Sequence, residues 1–371
     1  MRVNRLPGQG QPGDGATLGA ACRDLTPPLI SVAGLLTGDR DAARAVADQI
    51  GRAARDVGFF RICDHGIEPA RVERTYAVAR RFFALPDTVK RRYYIGHQPN
   101  HRGYVPFSEK GDYPDEKDRS YEAFDLGLDL PADDPDFLAG IRLLGPNVWP
   151  ELAGFRDAVA AYYDAVSQLG RRICAALEIH LGLPEGAMTS RMRKPISQLR
   201  LLHYVRDAGT TDHQSVNMGA HTDYECLTLL HTRNAGLQVM TRDDEWIDVP
   251  VDPAVLVVNI GDMLEAWTNG MLRSTPHRVL NLSPERFSLP YFVAADYGTV
   301  IEPFPELIAP GEGPRYAPFS AGAHLERMLV RDFPYLRAAK AGGAGADPDA
   351  PPEESFRNPF ETRLNGTGTE L

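Results

Sequence analysis

The chain contains 371 residues, of which 43% are hydrophobic and 24% charged, and its formal net charge at pH 7 is −10. This composition is typical of a globular protein with enough apolar material for a buried core. The acidic balance argues against nucleic acid or an anionic membrane as the main partner, because both are negatively charged.

The sequence predicts a cytoplasmic protein. It has no apolar run of about eighteen residues, the length that a transmembrane helix needs, and its N-terminus lacks the apolar stretch of a secretory signal. Its four cysteines are widely spaced and form no C-x-x-C pair. Such spacing is typical of reduced thiols in the cytoplasm, so we expect no disulfide.

In the N-terminal half, short apolar runs alternate with helical patterns. Residues 6–20 are rich in Gly, Pro and Gln, which predicts a flexible lead. A long helix is predicted from about Pro150 to Leu181, because apolar residues recur there at spacings of three and four. The other predicted elements are strands at 29–32, 59–63 and 121–126, an irregular strand at 101–107, and helices at 39–57 and 69–85.

After Pro195 the pattern changes to short β-branched runs separated by turn residues. Such a series predicts a sandwich, barrel or jelly roll. A further helix is expected over 319–337, and the Ala-, Gly-, Asp- and Pro-rich stretch that follows predicts disorder. The predicted strands are 198–205, 217–223, 226–231, 236–240, 245–249, 254–260, 272–282 and 287–295.

Two predicted strands carry a possible metal-ligand set. His221 and Asp223 form a His-x-Asp pair, and His277 follows 54 residues after Asp223. The composition alone would supply roughly one such pair by chance, so the motif needs its context. Residues two apart on a strand point to one face, and two imidazoles with one carboxylate are the ligand set of non-haem Fe(II) oxygenases.

A second group of residues lies just downstream. Arg286 and Ser288 are two apart on a predicted strand and share a face, with Phe287 on the other. A guanidinium beside a hydroxyl is suited to gripping a carboxylate. Tyr204, on the strand 198–205, is placed to donate a further hydrogen bond.

Several segments, in this order, resemble the isopenicillin-N-synthase-like family, which contains Fe(II)- and 2-oxoglutarate-dependent oxygenases. ISVAGL, VGFFRICDHGI, RGYVPF and EAFDLG resemble its helical N-terminal domain, and the resemblance covers roughly residues 28–335. In the C-terminal half the matching segments are GAHTDYECLTLL, VNIGD, MLEAWTNGMLRSTPHRV and ERFSLPYF.

The resemblance implies an α+β fold with a double-stranded β-helix (jelly-roll) core, a helical N-terminal domain and flanking helices. It implies that His221, Asp223 and His277 bind Fe(II), and that Arg286, Ser288 and Tyr204 bind 2-oxoglutarate. The domains it implies are a flexible lead (1–27), an N-terminal dioxygenase domain (28–145), a scaffold helix region (146–194), the oxygenase core (195–300), a C-terminal helical segment (301–337) and a disordered tail (338–371).

The implied activity is an O2-dependent oxidation of a small molecule in secondary metabolism, by hydroxylation, desaturation or cyclisation, and the enzyme is expected to be a monomer. Leu202 stands where the family commonly has Asn, which removes one possible co-substrate contact. The intact Asp223 favours oxygenation over halogenation. An isopenicillin-N-synthase-type oxidase without 2-oxoglutarate, an ethylene-forming enzyme and a catalytically silent ligand-binding relative remain alternatives.

The sequence marks some residues as weaker candidates. Asn259 and Asp262 are expected to shape a turn, and the helix 319–337 is expected to lie across the mouth of the barrel. Aromatic residues that are candidates for lining a substrate pocket are Tyr104, Tyr121, Tyr224 and Phe292. Histidines without a partner spacing, expected to be structural or at the surface, are His65, His203, His213, His231 and His324.

Overall fold

A computed structural model describes residues 26–109, 121–205, 216–280 and 282–337. Almost all of the predicted lead (1–27), the whole predicted tail (338–371) and His213 lie outside the described residues. Among those described, no helix is long and apolar enough to cross a membrane. Cys63, Cys174 and Cys226 are free thiols.

The described chain alternates strands and helices in its first half and is mainly strands in its second. The helices are α1 (Arg40–Asp56), α2 (Pro69–Phe83), α3 (Asp87–Lys90), α4 (Pro135–Leu138), α5 (Phe155–Leu181), α6 (Asp262–Trp267) and α7 (Ala321–Asp332). The strands are β1 (Leu29–Ser31), β2 (Phe59–Cys63), β3 (Gly103–Val105), β4 (Tyr121–Gly127), β5 (Gln198–Val205), β6 (Val216–His221), β7 (Leu227–Thr232), β8 (Leu237–Met240), β9 (Trp246–Asp248), β10 (Leu256–Ile260), β11 (His277–Leu280), β12 (Glu285–Val293), β13 (Val300–Ile301) and β14 (Phe319–Ser320).

Two facing sheets form the core. The large sheet has the order β1-β2-β10-β7-β12-β5-β4-β3, and the small sheet has the order β6-β11-β8-β9. Apolar side chains of both sheets, such as Phe59 and Val257 from the large one and Val239 and Val279 from the small one, pack in one cluster. The four strands of the N-terminal half extend the large sheet at its two ends.

All eight strands predicted after Pro195 are present; β5 has the predicted ends, and the ends of the other seven are shifted. The important shift is at β6, which ends at His221, so Asp223 does not lie on the strand as predicted. The backbone N–H of Asp262 donates to the carbonyl of Asp223 at 2.8 Å, and the Thr222 hydroxyl donates to the Asp262 carboxylate at 3.2 Å. These bonds draw the chain out of the sheet and towards helix α6.

The long helix begins later than predicted. α5 starts at Phe155 because Gly154 has a φ of 76°, in the left-handed region, which a helix cannot include. The predicted helix 319–337 is interrupted at Phe333, which has an extended conformation before Pro334. The sequence did not predict α6.

Helix α5 supports the large sheet from outside. Its predicted apolar stripe is buried, and a Cβ on Gly51 of α1 would lie 1.9 Å from the ring of His180, so α1 and α5 are in close contact. On the sheet side, Gly170 is packed against Val293 of β12. The sheet that carries part of the candidate site therefore has a rigid backing.

A buried polar network lies between this sheet and α3. The carboxylate of Glu122 accepts from Lys90 at 2.6 Å and from Tyr104 at 2.5 Å, and lies 2.8 Å from Nδ1 of His203. Burial raises the pKa of Glu122, but the hydrogen bonds from these partners outweigh burial and lower the pKa overall. Tyr104 therefore belongs to this network and does not line the cavity described below.

Replacing Glu122 with Gln should lower the free energy of unfolding by about 3 kcal/mol, because Lys90 would remain buried without its counter-charge. Glu285→Gln is the matched control. Glu285 lies 2.9 Å from the other ring nitrogen of His203, with 62% of its side chain exposed, so we expect a loss below about 1 kcal/mol. Urea denaturation at pH 7 measures both, and equal losses would contradict the burial argument.

The effect of Glu122→Gln should also depend on pH. The folded-state pKa lies below the ordinary value of 4.5, so the carboxylate stabilises the fold above that value and the stabilisation is lost as pH falls through the folded-state pKa. The stability difference between the two proteins should therefore shrink in acid.

Candidate metal centre

Strand pairing brings the two histidines together. In the antiparallel pair of β11 and β6, His277 lies directly opposite His221, and their ring centroids are 4.3 Å apart. Asp223 enters from the loop after β6. Its Oδ1 atom is 3.7 Å from Nε2 of His221 and 3.7 Å from Nε2 of His277. The three predicted residues therefore meet.

Backbone carbonyls orient both imidazoles. Nδ1 of His221 lies 2.8 Å from the carbonyl oxygen of Gly219, and Nδ1 of His277 lies 3.3 Å from that of Thr275. A carbonyl only accepts, so the proton of each neutral ring is on Nδ1 and the lone pair of Nε2 faces Asp223. Burial, followed by the nearby His221, lowers the pKa of His277, which favours its neutral form.

One carboxylate oxygen of Asp223 is occupied by protein donors. Oδ2 accepts from Nδ2 of Asn259 at 2.7 Å and from the hydroxyl of Thr228, which leaves Oδ1 towards the histidines. Burial raises the pKa of Asp223, but His277 and His221 with these two hydrogen bonds lower it overall. The ionised form, which a metal requires, is thereby favoured.

Asn259 is a residue whose role the sequence analysis missed. It was expected to shape a turn, but it lies inside strand β10, where it is 3% exposed. An Asn within the apolar run LVVNI was the available signal, because a buried amide needs a partner. Asp262, also expected in the turn, begins α6 and accepts from the hydroxyl of Ser274 at 2.7 Å.

The donor set fits a divalent iron. The ligand atoms of His221, Asp223 and His277 all lie within 4.8 Å of one another. Two imidazole nitrogens and one carboxylate oxygen would hold the ion, and this donor set is the one that non-haem Fe(II) oxygenases use. The orientation of the imidazoles and the two donors to Asp223 are what such a site needs around its ligands.

Arg286 presents a buried positive charge to the same cavity. It is 2% exposed, its Nη1 lies 3.4 Å from the hydroxyl of Ser288, and its guanidinium is 4.7 Å from the ring centre of Tyr204. Among the described residues, its Nε has no hydrogen-bond partner, and its guanidinium contacts Ser288 and Tyr204 but no carboxylate. A buried cation without a counter-charge is costly, so the geometry favours an anionic ligand here.

The triad and Arg286 line one cavity of about 110 Å³. Arg286 is paired with Tyr204 between β12 and β5, and the inward face of β5 continues from there through Leu202 to Gln198. Tyr121, Tyr224 and Phe292 line the cavity as expected from the sequence. Side chains from the C-terminal segment, as expected from its position, also line it: Leu329, Asp332 and Phe333.

The other described histidines lie outside this cavity and have structural contacts. Nδ1 of His65 accepts from the backbone N–H of Ile67 at 3.2 Å, and His231 lies 2.8 Å from the hydroxyl of Tyr76. His324 is fully buried in α7. The expectation for these residues therefore agrees with the structure.

A wider surface cleft of about 830 Å³ contains none of the predicted site residues. Arg242, one of its arginines, donates to the backbone carbonyls of Asp56 and Arg55. Arg315, another, pairs with Glu312 at 3.8 Å. These two arginines already have protein partners, whereas Arg286 has no carboxylate partner in the described part of the chain. The smaller cavity, which contains the triad, is therefore the better candidate for the functional site.

Known families match both halves of the chain. Residues 27–152 match the family described as non-haem dioxygenase in morphine synthesis N-terminal, and residues 196–295 match the 2OG-Fe(II) oxygenase superfamily. A 2-oxoglutarate-Fe(II) type oxidoreductase of Aspergillus fumigatus is 31% identical over 303 residues, which cover 79% of this chain and 89% of the relative.

Solved structures share the fold. A full-length Neurospora crassa protein in complex with alpha-KG (2-oxoglutarate) matches with a TM-score of 0.74 and 27% identity, over 84% of this chain and 98% of that one. JOX2, in complex with 2OG, Fe and JA, matches with a TM-score of 0.66 and 26% identity, over 84% and 88%. The predicted α+β fold with a jelly-roll core is confirmed.

Replacing Asn259 with Leu should weaken Fe(II) binding about 10- to 100-fold, because Asp223 would lose a donor that orients it. Anaerobic titration with Fe(II) measures the dissociation constant. Asn234→Leu, the same exchange in the half-buried turn between β7 and β8, is the control and should leave the constant unchanged. Unchanged affinity in a folded Asn259→Leu protein would contradict the orienting role.

Proposed function

The chain belongs to the 2OG-Fe(II) oxygenase superfamily, and on that premise we propose that His221, Asp223 and His277 hold its iron. It is an Fe(II)- and 2-oxoglutarate-dependent dioxygenase that uses O2. The observation that carries the residue assignment is the convergence of two Nε2 atoms on Oδ1 of Asp223, each at 3.7 Å.

The distal carboxylate of 2-oxoglutarate is assigned to Arg286 and Ser288. The uncompensated charge of Arg286 supports this assignment, since a carboxylate would accept two parallel bonds from the guanidinium and one from the hydroxyl. Tyr204 contributes its ring face to the guanidinium at 4.7 Å. Leu202, opposite Ser288 in the register, offers an apolar surface where the family commonly has an amide.

When bound, iron with 2-oxoglutarate supplies the O2 activation that oxidises the substrate. The residues of this chain prepare the site for it. Asn259 and Thr228 hold Asp223 ionised with one oxygen directed at the metal position. The aromatic and aliphatic walls from β2, β12 and α7 exclude water from the cavity, which strengthens the electrostatic interactions inside it.

The relatives favour this activity over the alternatives. A 2-oxoglutarate-Fe(II) type oxidoreductase and structures that contain 2-oxoglutarate argue against an oxidase without the co-substrate and against a silent ligand-binding protein. For the finer points, we propose oxidation of a small molecule in secondary metabolism by a cytoplasmic monomer. The free thiols of Cys63, Cys174 and Cys226 support the cytoplasmic location.

Addition of Fe(II) and then 2-oxoglutarate to the oxygen-free protein should produce a metal-to-ligand charge-transfer band. Asp223→Ala should show no band and no succinate formation, because the metal loses its carboxylate ligand. Glu285→Gln, a carboxylate exchange at the surface of β12, should keep the band. A wild-type protein that binds iron but shows no band would overturn the use of 2-oxoglutarate.

Arg286→Lys should weaken 2-oxoglutarate binding about 10- to 100-fold, because an ammonium cannot make the two-pronged contact. Arg278→Lys is the matched control, since Arg278 lies in the small sheet and stacks on Trp246 with its guanidinium bonded to Gln238 at 2.9 Å. The charge-transfer band, followed as 2-oxoglutarate is added, measures the dissociation constant. If both exchanges changed the dissociation constant of 2-oxoglutarate equally, the assignment of Arg286 to the co-substrate site would be wrong.

A further inference from the structure

The part of the cavity away from Arg286 contains a second pair of polar groups, the amide of Gln198 and the carboxyl of Glu225. We propose that this pair binds the primary substrate through one hydrogen-bond acceptor and one N–H or O–H donor, both on a planar ring compound. The inference rests on the proposed function, because it assigns the part of the cavity that iron and 2-oxoglutarate leave open.

Gln198 is a buried donor without a partner. It is the first residue of β5 and is 5% exposed, and its Nε2 atom makes no hydrogen bond to the described residues. A buried polar group left without a hydrogen bond destabilises the fold, and native structures keep few of them. Because Gln198 lines the cavity, a ligand with an acceptor atom would remove this cost.

Glu225 is a buried acceptor with an open side. It is 5% exposed, and among the described residues the donor to its carboxyl is its own backbone N–H, with no side chain donating to it. The nearby cation, Arg200, is engaged by both oxygens of Asp125, at 2.7 and 2.8 Å. A carboxyl oxygen accepts a hydrogen bond whether or not the group is ionised. An N–H or O–H group on a ligand would therefore satisfy Glu225.

The two groups lie too far from the 2-oxoglutarate position to serve the co-substrate. Gln198 and Tyr204 are six residues apart on one strand, which corresponds to about 20 Å. Arg286 is opposite Tyr204, whereas Phe292 is opposite Gln198. Glu225 lies at the Gln198 end as well, because the backbone N–H of its neighbour Cys226 donates to the carbonyl of Val293, next to Phe292. A five-carbon dicarboxylate held by Arg286 does not span that distance, so the pair remains available to another molecule.

The walls around the pair favour a flat, largely apolar body. Phe292 of β12, opposite Gln198, and Phe333 after α7, in contact with Arg200, line the cavity there together with Leu329. Aromatic walls with a few placed polar groups are typical of sites for small ring compounds. One acceptor and one donor on the ring would match Gln198 and Glu225.

Two pairs of probe compounds test whether the site binds one acceptor and one donor, and they distinguish the two classes of ring compound that could supply both groups. 2-Pyridone represents cyclic amides and 4′-hydroxyacetophenone represents phenolic carbonyl compounds, and each is compared with its methyl-blocked form, N-methyl-2-pyridone or 4′-methoxyacetophenone. The full chain, loaded with Fe(II) and 2-oxoglutarate without oxygen, is titrated by calorimetry. We expect one donor-bearing probe to bind at least about tenfold more tightly than its blocked form. The pair that shows this difference in affinity tells whether the substrate class is a cyclic amide or a phenolic carbonyl compound.

Variants test whether the preference for the donor-bearing probe depends on Gln198 and Glu225. Gln198→Met and Glu225→Met keep the side-chain size but remove the donor and the acceptor, so each should weaken the favoured probe about tenfold. In Glu225→Met the preference over the blocked form should also disappear. Gln238→Met, the same exchange on β8 outside the cavity, should change nothing. The proposal would be overturned if the wild-type protein bound each probe and its blocked form equally well. It would also be overturned if both variants kept the full wild-type preference for the donor-bearing probe.

The charge-transfer band in the same samples separates this inference from the proposed function. If the wild-type protein shows no band, both the proposed function and the substrate-binding inference are wrong. If the band is present and the probes do not discriminate, only the substrate-binding pair falls. Gln198 lies on β5, remote in sequence from the ligands, so Gln198→Met remains a valid test even if Glu225→Met disturbs iron binding through the neighbouring Asp223.

Discussion

The register of one strand pair is the constraint on which the candidate metal centre depends. β11 and β6 align so that His277 lies opposite His221, and a slip of one residue would turn one imidazole to the other face of the sheet. The chain between them forms four strands and α6 before it returns. That stretch also carries Asn259, which holds Asp223 at 2.7 Å. The strand pairing therefore sets the spacing of the imidazoles, and the chain between them orients the carboxylate.

Buried polar groups divide into two kinds in this molecule. Glu122 and Asp125 are buried beside cations that neutralise them, at 2.6 Å for Lys90 and 2.7 Å for Arg200. Such satisfied networks hold the fold in one arrangement. Arg286, in contrast, faces the cavity without a described counter-charge. The fold tolerates that cost because a bound anion would remove it, and this difference separates the groups that hold the structure from those that bind ligands.

The scaffold explains why the ligand positions are rigid. α5 packs against the large sheet, and strands from the N-terminal half widen that sheet, so the strands around the cavity are supported on their outer side. α7 completes the wall, where Asp332 accepts from the hydroxyl of Tyr224 at 2.7 Å. Sites supported by packed elements hold their geometry better than sites on free loops. Oxygen chemistry needs that precision.

The sequence by itself determined most of the architecture, because strand and helix periodicities and the His-x-Asp spacing are local properties. It located all eight core strands and the residues that meet at the candidate metal centre. Only the tertiary structure decided that Asp223 leaves the strand, that Asn259 holds it and that Tyr104 belongs to a structural network. It alone also singled out Gln198 and Glu225. The physical reason is that hydrogen-bond satisfaction depends on every neighbour in the packed chain, and no local pattern records which buried group has been left without a partner.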